Sequence, residues 1–200
     1  MSSHVIRRAF VTTAVAAVTV TGVMTGASAH AETTARAPYK IPSVQPKTIG
    51  GEKVQYDGGQ YADMPAMQGA MSCDPGNPKG IRPVAGRDWM YYDPANDFSG
   101  KSADLVITGW ESGAAAMKAI SNDGTQCVLL DGWRQVAATP GYKLFTNGVA
   151  YDAVIRVGNL LVSVEAEAPS GTPAQAKQIA MSGASRAAVD LAFDYPAGAR

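Results

Sequence analysis

The sequence predicts an α+β fold, namely an antiparallel sheet meander with two helices packed on one face. Short runs rich in Val, Ile and Leu follow one another through short turns that contain Gly and Asn. Such short connections favour antiparallel pairing, because neighbouring parallel strands need long crossovers. Two stretches with helical signals complete the pattern, one in the middle of the chain and one near its C-terminal end.

The clearest prediction is a β-hairpin over residues 150–168. Gly158-Asn159 separates two β-branched runs, and this residue pair suits a two-residue turn. Alternate residues from 151 to 157 and from 160 to 166 are apolar, so they share one buried face. Ser163, Glu165 and Glu167 alternate with them, and we expect these three on a solvated face.

Further elements flank this hairpin on both sides. Ser112 is placed as the N-cap of a helix that extends to about Asn122. Thr172 and Pro173 begin a second helix, which continues to about Leu191 and carries small residues that allow close approach to a sheet. Strands are predicted over residues 87–93, 103–108 and 142–145, and residues 127–137 contain a second two-residue turn signal at Asp131-Gly132.

The first 31 residues have the pattern of a cleavable secretory signal peptide. Arg7-Arg8 precede an apolar run, and cleavage fits after Ala29 or after Ala31. A membrane anchor is the alternative, but Thr and Gly interrupt the apolar run. The arginine pair fits either twin-arginine export or an ordinary secretory head. We therefore predict a secreted, extracellular protein with no stable membrane span after cleavage.

The rest of the chain divides into an arm and one domain. Residues 32–60 are rich in Pro, Gly and Thr and lack a sustained period, which predicts a flexible arm or linker that is dispensable for folding. Residues 61–195 are predicted to form a single α+β domain.

Charge and cysteine content narrow the classes of partner. Residues 1–31 hold two arginines and no acidic residue, which leaves 15 basic and 17 acidic residues in the exported chain. This balance argues against nucleic-acid binding. Cys73 and Cys127 form an even pair in an exported protein, which predicts one disulfide. Two buried thiols or a metal pair are the alternatives.

The sequence predicts neither catalytic residues nor a cofactor or metal. Its two histidines, His4 and His30, both lie in or beside the signal peptide, so histidine-based catalysis and histidine-ligated zinc are not expected. Glu165 and Glu167 could act as paired carboxylates, although a solvated strand face explains them more simply. Asp93 and Asp97 could bind calcium or cap a turn. Met64, Met67 and Met71 could bind a soft metal or fill the core.

Aromatic residues at the ends of predicted elements are the candidates for ligand binding. Trp110 lies where a strand enters a helix, Trp133 follows a turn, and Tyr142 begins a strand. We predict that these three residues line a groove between the sheet and its helices. An apolar groove with indole and phenol groups would suit a small amphipathic or lipid-like ligand.

The order of these features resembles a known family. A strand and helix precede Cys127, Gly132-Trp133 follows, strands meet at Arg156-Val-Gly-Asn159, and an Ala-rich helix ends the pattern. This order is similar to the PknH-like extracellular sensor domain of actinobacterial receptor kinases and its free secreted relatives, over roughly Met64 to Leu191. The resemblance implies an α+β domain with a cleft that binds an extracellular ligand without catalysis. The chain differs from the kinase sensors in having one possible disulfide instead of two, and we expect no kinase domain within these 200 residues.

Three functional classes follow from the sequence. A secreted, non-catalytic ligand-binding or sensor-like domain is favoured. A protein-interaction module, such as an inhibitor or a cell-envelope factor, is the alternative, and its partner would be another envelope protein. A hydrolase with an unfamiliar catalytic group is the least favoured class.

Overall fold

A computed structural model describes residues 41, 43–61, 71–73, 83–96, 100–120, 127–129, 132–169 and 172–194. All of them belong to one structural unit of the chain. The predicted signal peptide lies outside the described residues. The strands are β1 Thr48–Ile49, β2 Glu52–Tyr61, β3 Met71–Cys73, β4 Pro83–Tyr92, β5 Ser102–Trp110, β6 Cys127–Leu129, β7 Arg134–Thr139, β8 Tyr142–Thr146, β9 Tyr151–Val157 and β10 Leu160–Glu167. The helices are α1 Gly113–Ala119 and α2 Pro173–Asp194, with a 3₁₀ turn at Pro94–Asn96.

Eight of the strands form one antiparallel sheet in the order β1-β2-β4-β5-β10-β9-β8-β7. The predicted hairpin is confirmed as β9 and β10, which lie inside this sheet. Gly158 turns between them with a φ of +60°, a conformation that glycine adopts without strain. The other edge of β10 pairs with β5, so two meanders join at the β5–β10 pair. The predicted α+β class with an antiparallel sheet and two helices is confirmed.

Each face of the sheet carries a buried hydrophobic cluster, and each cluster includes residues of a different helix. The first face, which we call the α2 face, carries Leu105, Ile107, Leu160, Val162 and Val164 in one hydrophobic cluster with α2. The second face, which we call the α1 face, carries the residues that alternate with these along the same strands. Its cluster is Trp110, Phe145, Val154 and Leu161 with Ala116, Met117 and Ile120. The helices therefore cover opposite faces, where the sequence predicted one shared face. Strand alternation fixes which residues share a face but not which helix covers it.

Helix α2 approaches the sheet closely because its inner side is made of small residues. A side chain at Gly183 would begin 2.8 Å from Cγ2 of Ile49 and 3.2 Å from Cγ1 of Val164. This spacing leaves no room for a methyl group without a shift of the neighbours. The inner side of α2 consists of Ala176, Ile179, Ala180, Gly183, Ala184, Ala187, Ala188 and Leu191.

The predicted arm contains two strands of the sheet, so the expectation of a linker is wrong for residues 48–60. Strand β2 pairs with β4 over most of its length, and Arg87 Nη2 lies 2.6 Å from Asp57 Oδ2 across this pair. Ile41 and Ile49 are buried in the α2-face cluster, and the Tyr91 hydroxyl donates a hydrogen bond of 3.0 Å to the Pro46 carbonyl. Irregular pairing, with shifts of register between β2 and β4, hides the strand period from sequence reasoning.

Strands β3 and β6 form a separate two-stranded sheet. Its register places Cys73 directly opposite Cys127. Directly opposed residues of antiparallel strands have Cα atoms about 4.5–5.5 Å apart, which lies within the range that a disulfide spans. This register favours the predicted bond, which stays a prediction.

Candidate functional site

The turn of the central hairpin holds the start of α1 on the sheet. The Asn159 carbonyl accepts a hydrogen bond of 3.0 Å from the Trp110 N–H, and Asn159 Oδ1 accepts one of 3.1 Å from the Gly113 N–H. A side chain at Gly113 would overlap the Gly158 carbonyl oxygen and lie 2.8 Å from the Asn159 Cα. Ser112 caps the helix, as predicted, by accepting a hydrogen bond of 3.2 Å from the Ala115 N–H.

Two of the three predicted ligand-binding aromatics pack in the α1-face cluster. Trp110 is 0% exposed and donates a hydrogen bond of 2.8 Å from Nε1 to Thr108 Oγ1. Trp133 is half-buried and packs against the same cluster. Tyr142 packs against the α2-face cluster, on the other side of the sheet, and its hydroxyl is buried. The structure therefore brings Trp110 and Trp133 together and separates Tyr142 from them.

A cleft of about 520 Å³ lies between α1 and the turn that joins β7 to β8. We call it the basic cleft, and its lining within the described part of the chain is Ala114, Met117, Lys118, Ala138, Thr139, Pro140, Lys143 and Arg156. The three predicted aromatics are not among these residues. Met117 belongs both to the cleft wall and to the cluster around Trp110, so the tryptophan lies one layer below the cleft.

Three basic residues reach this cleft from three different elements. Lys118 is exposed on α1, whereas Lys143 on β8 is only 7% exposed and Arg156 on β9 is half-buried. Arg156 Nη1 lies 3.4 Å from the Gly158 carbonyl oxygen that it donates to, and its Nε is buried with no hydrogen-bond partner in the described part of the chain. A buried donor without a partner is costly, and an anionic oxygen in the cleft would relieve that cost.

A row of carboxylates crosses the same face of the sheet. Glu165 on β10 is paired in register with Asp152 on β9 and with Asp104 on β5, and we call these three residues the acidic row. Asp152 is fully buried and accepts a hydrogen bond of 2.7 Å from the Ser163 hydroxyl. A smaller cleft of about 180 Å³ lies beside Asp104, Glu165 and Glu167.

Burial and like charges raise the pKa of two members of this row. Burial is the largest influence on Glu165, and with the charges of Asp152, Asp104 and Glu167 it raises the pKa of that carboxyl to about 7. Loss of hydration and the charges of Asp88 and Glu167 raise the pKa of Asp104 to about 6. Asp104 keeps an exposed surface, so water screens its charge.

The expected solvated face of β10 is therefore wrong for Ser163, which is buried, and for Glu165, which is half-buried. Sequence reasoning missed both the acidic row and the basic cleft. The strand register would have revealed the row, because it decides which residues of neighbouring strands become adjacent. The cleft depends on where α1 lies, which no local pattern specifies.

The other sequence candidates have simpler roles in the structure. Asp93 Oδ1 accepts a hydrogen bond of 3.0 Å from the Ala95 N–H, and Oδ2 accepts one of 2.8 Å from Asn96 Nδ2, so Asp93 caps a turn. Asp97, Met64 and Met67 lie outside the described residues. In the described ranges, no group of three or more His, Cys, Asp or Glu residues is arranged to hold a metal ion.

No protein-family model matches the chain, and no curated protein is significantly similar to it. The resemblance to the PknH-like sensor domain therefore stays a prediction. Among the described helices, none combines the length and the apolar character that crossing a membrane would require.

Proposed function

We propose that this protein is a secreted, non-catalytic binding domain that takes a small amphipathic anion in the basic cleft. One observation carries the proposal. Lys118, Lys143 and Arg156 converge on a cleft whose other walls are mainly apolar. Binding sites for small molecules combine apolar walls with a few convergent polar groups in this way.

The two kinds of wall suit the two ends of such a ligand. Ala114, Met117, Ala138 and Pro140 offer apolar surface to a hydrocarbon chain or ring. The ammonium and guanidinium groups can donate charge-assisted hydrogen bonds to a carboxylate or phosphate, and these bonds are stronger than those between neutral groups. Each apolar CH₂ that leaves water adds about 0.8 kcal/mol to binding.

The proposal also agrees with the resemblance stated from the sequence, which implies a cleft and a ligand. It differs from the sequence prediction in placing the ligand in the basic cleft and not against Trp110, Trp133 and Tyr142. We expect the fluorescence of the two tryptophans to report ligand binding. Met117 lines the cleft and also belongs to the cluster that contains Trp110, and Trp133 packs against the same cluster.

Titration of the purified protein with decanoate, decyl phosphate and the neutral octyl glucoside tests this function. We expect both anions to change tryptophan fluorescence saturably and the neutral amphiphile to have little effect. Preference between the two anions distinguishes a carboxylate ligand from a phosphate ligand. Calorimetry provides a second measurement of the dissociation constant.

Substitution of the basic residues tests the site itself. We expect Lys118→Ala and Arg156→Gln each to weaken anion binding roughly ten-fold, the effect of losing one hydrogen bond to a charged group. Lys53→Ala, at an exposed lysine on β2, is the matched control and should leave binding unchanged. Equal binding of neutral and anionic amphiphiles, or no binding by any of them, would contradict the proposal.

A further inference from the structure

Two of the three cations of the basic cleft come from neighbouring strands. Lys143 on β8 lies directly opposite Val154 on β9, and Arg156 follows two residues after Val154. Directly opposed residues, and residues two apart along one strand, extend from the same face of a sheet. Both side chains therefore lie on the α1 face, as diagonal neighbours whose Cα atoms are about 7–8 Å apart. The fold thus holds two positive charges close together, and the lysine that carries one of them is only 7% exposed.

Helix α1 supplies the third cation from a different direction. It packs on the α1 face through Ala116, Met117 and Ile120, and its exposed Lys118 lines the same cleft. The three donors therefore reach the cleft from two strands and from a helix that lies over the sheet. A ligand that meets all of them needs acceptor oxygens that point in three directions. A carboxylate has only two oxygens, in one plane, whereas a phosphate monoester has three around its phosphorus atom.

The charges around the cleft favour a ligand with two negative charges. No Asp or Glu is among the described residues that line it. The strand register places one carboxylate beside the group, because Asp152 precedes Val154 by two residues and is the other diagonal neighbour of Lys143. Three cationic side chains and this one carboxylate leave a surplus of two positive charges.

We propose, on the basis of the function stated above, that the ligand of the basic cleft is a phosphate monoester of a hydrocarbon chain or ring. Its headgroup carries close to two negative charges at neutral pH, which neutralise the surplus, and its three oxygens accept from Lys118, Lys143 and Arg156 together. Arg156 has donors to offer, since its Nη1 lies a long 3.4 Å from the Gly158 carbonyl oxygen and its Nε has no partner among the described residues. A carboxylate or a phosphodiester has one charge and two charged oxygens, so it leaves one of the three cations without an oxygen.

Ligands that share one chain but differ in their headgroup test this proposal. Decyl sulfate separates charge from shape, because it has three terminal oxygens like decyl phosphate but a single charge. At about pH 8, where the phosphate is doubly charged, we expect calorimetry to show decyl phosphate binding at least roughly ten-fold more tightly than decyl sulfate or decanoate. Equal affinities for the three overturn the doubly charged headgroup and leave the proposed function standing. Absence of binding by all three overturns the proposed function itself.

Inorganic phosphate distinguishes a phosphorylated amphiphile from free phosphate as the natural ligand. It offers the same oxygens and charge without a chain. We expect it to bind at least roughly a hundred-fold more weakly than decyl phosphate, because it buries no CH₂ groups against the apolar walls. Equal affinity for the two overturns the amphiphilic ligand and identifies the cleft as a site for free phosphate.

Variants of the cations test whether they set the preference for a doubly charged headgroup. Lys143→Met removes the buried charge and Lys118→Ala removes the exposed one. Each should lower the ratio of the affinities for decyl phosphate and decyl sulfate at least roughly three-fold. Lys53→Ala, at an exposed lysine on β2, is the matched control and should keep the ratio of the parent.

The exposed position of Lys118 keeps this test decisive if circular dichroism shows that Lys143→Met does not fold. An unchanged ratio in Lys118→Ala, and in Lys143→Met where it folds, overturns the assignment of the headgroup to these cations.

Discussion

Glu165, a single side chain on the α1 face, makes the stability of the folded state depend on pH. Its pKa is raised from 4.5 to about 7, first by burial and then by Asp152, Asp104 and Glu167. The folded state therefore keeps a proton that the unfolded chain loses between pH 4.5 and 7. Stability falls with rising pH wherever the folded state binds more protons. We expect this carboxyl to lower the free energy of unfolding by at most about 3 kcal/mol between these limits.

Glu165→Gln tests this coupling at the residue scale. The amide cannot ionise, so the variant should be more stable than the parent at pH 8 and nearly equal to it at pH 4. Urea unfolding over this pH range measures the difference. Glu111→Gln, at an exposed glutamate, is the control and should follow the parent at every pH. A Glu165→Gln profile parallel to that of the parent would contradict the raised pKa.

At the scale of elements, α1 depends on its contact with the β9–β10 turn. A short helix of seven residues is not stable by itself, so its position must come from tertiary contacts. Gly113 supplies one of them, because the backbone of Gly158 and Asn159 occupies the space of a side chain there. Since Ala114, Met117 and Lys118 on the same helix form one wall of the basic cleft, this contact also sets the width of the cleft.

Gly113→Ala should therefore lower the free energy of unfolding by about 1–3 kcal/mol, the usual cost of overpacking. It should also weaken binding of anionic amphiphiles by moving α1 away from the sheet. Gly141→Ala is the matched control, because nothing lies within 4 Å of the added carbon. We expect it to change the free energy of unfolding by no more than about 0.5 kcal/mol. Thermal and urea melts provide the comparison. Equal stability of the two variants would show that α1 is not fixed at Gly113.

The elements that sequence reasoning predicted best are those with a strong local period. The β9–β10 hairpin, β5 and α2 each carry their pattern within a few neighbouring residues, and Ser112 is a local cap. Three features depend on residues that are distant in sequence: the face of the sheet that each helix covers, the acidic row and the basic cleft. Trp110 illustrates the difference: its place at a strand end was predicted correctly, whereas its complete burial follows from α1 folding back over it.

For the whole molecule, the least expected finding is that residues before position 61 complete the main core. Ile41 and Ile49 are buried at 2% and 3% exposure, and β2 covers the edge of β4. Burying one isoleucine side chain is worth about 1.5–3 kcal/mol, and a domain is stable by only about 5–15 kcal/mol in total. Loss of both side chains, together with the strand pairing, would remove a large share of that stability.

We therefore expect a chain that begins at Tyr61 to be unfolded or strongly destabilised, compared with one that begins at Glu32. Circular dichroism and thermal melting of the two chains provide the measurement. Ile49→Ala is a milder test and should cost about 2–5 kcal/mol, because it leaves a cavity against Gly183 and Val164. Val149→Ala, at an exposed valine, is its control and should change stability little. If the chain beginning at Tyr61 melts at the temperature of the longer chain, β1 and β2 are an accessory edge and the core is complete without them.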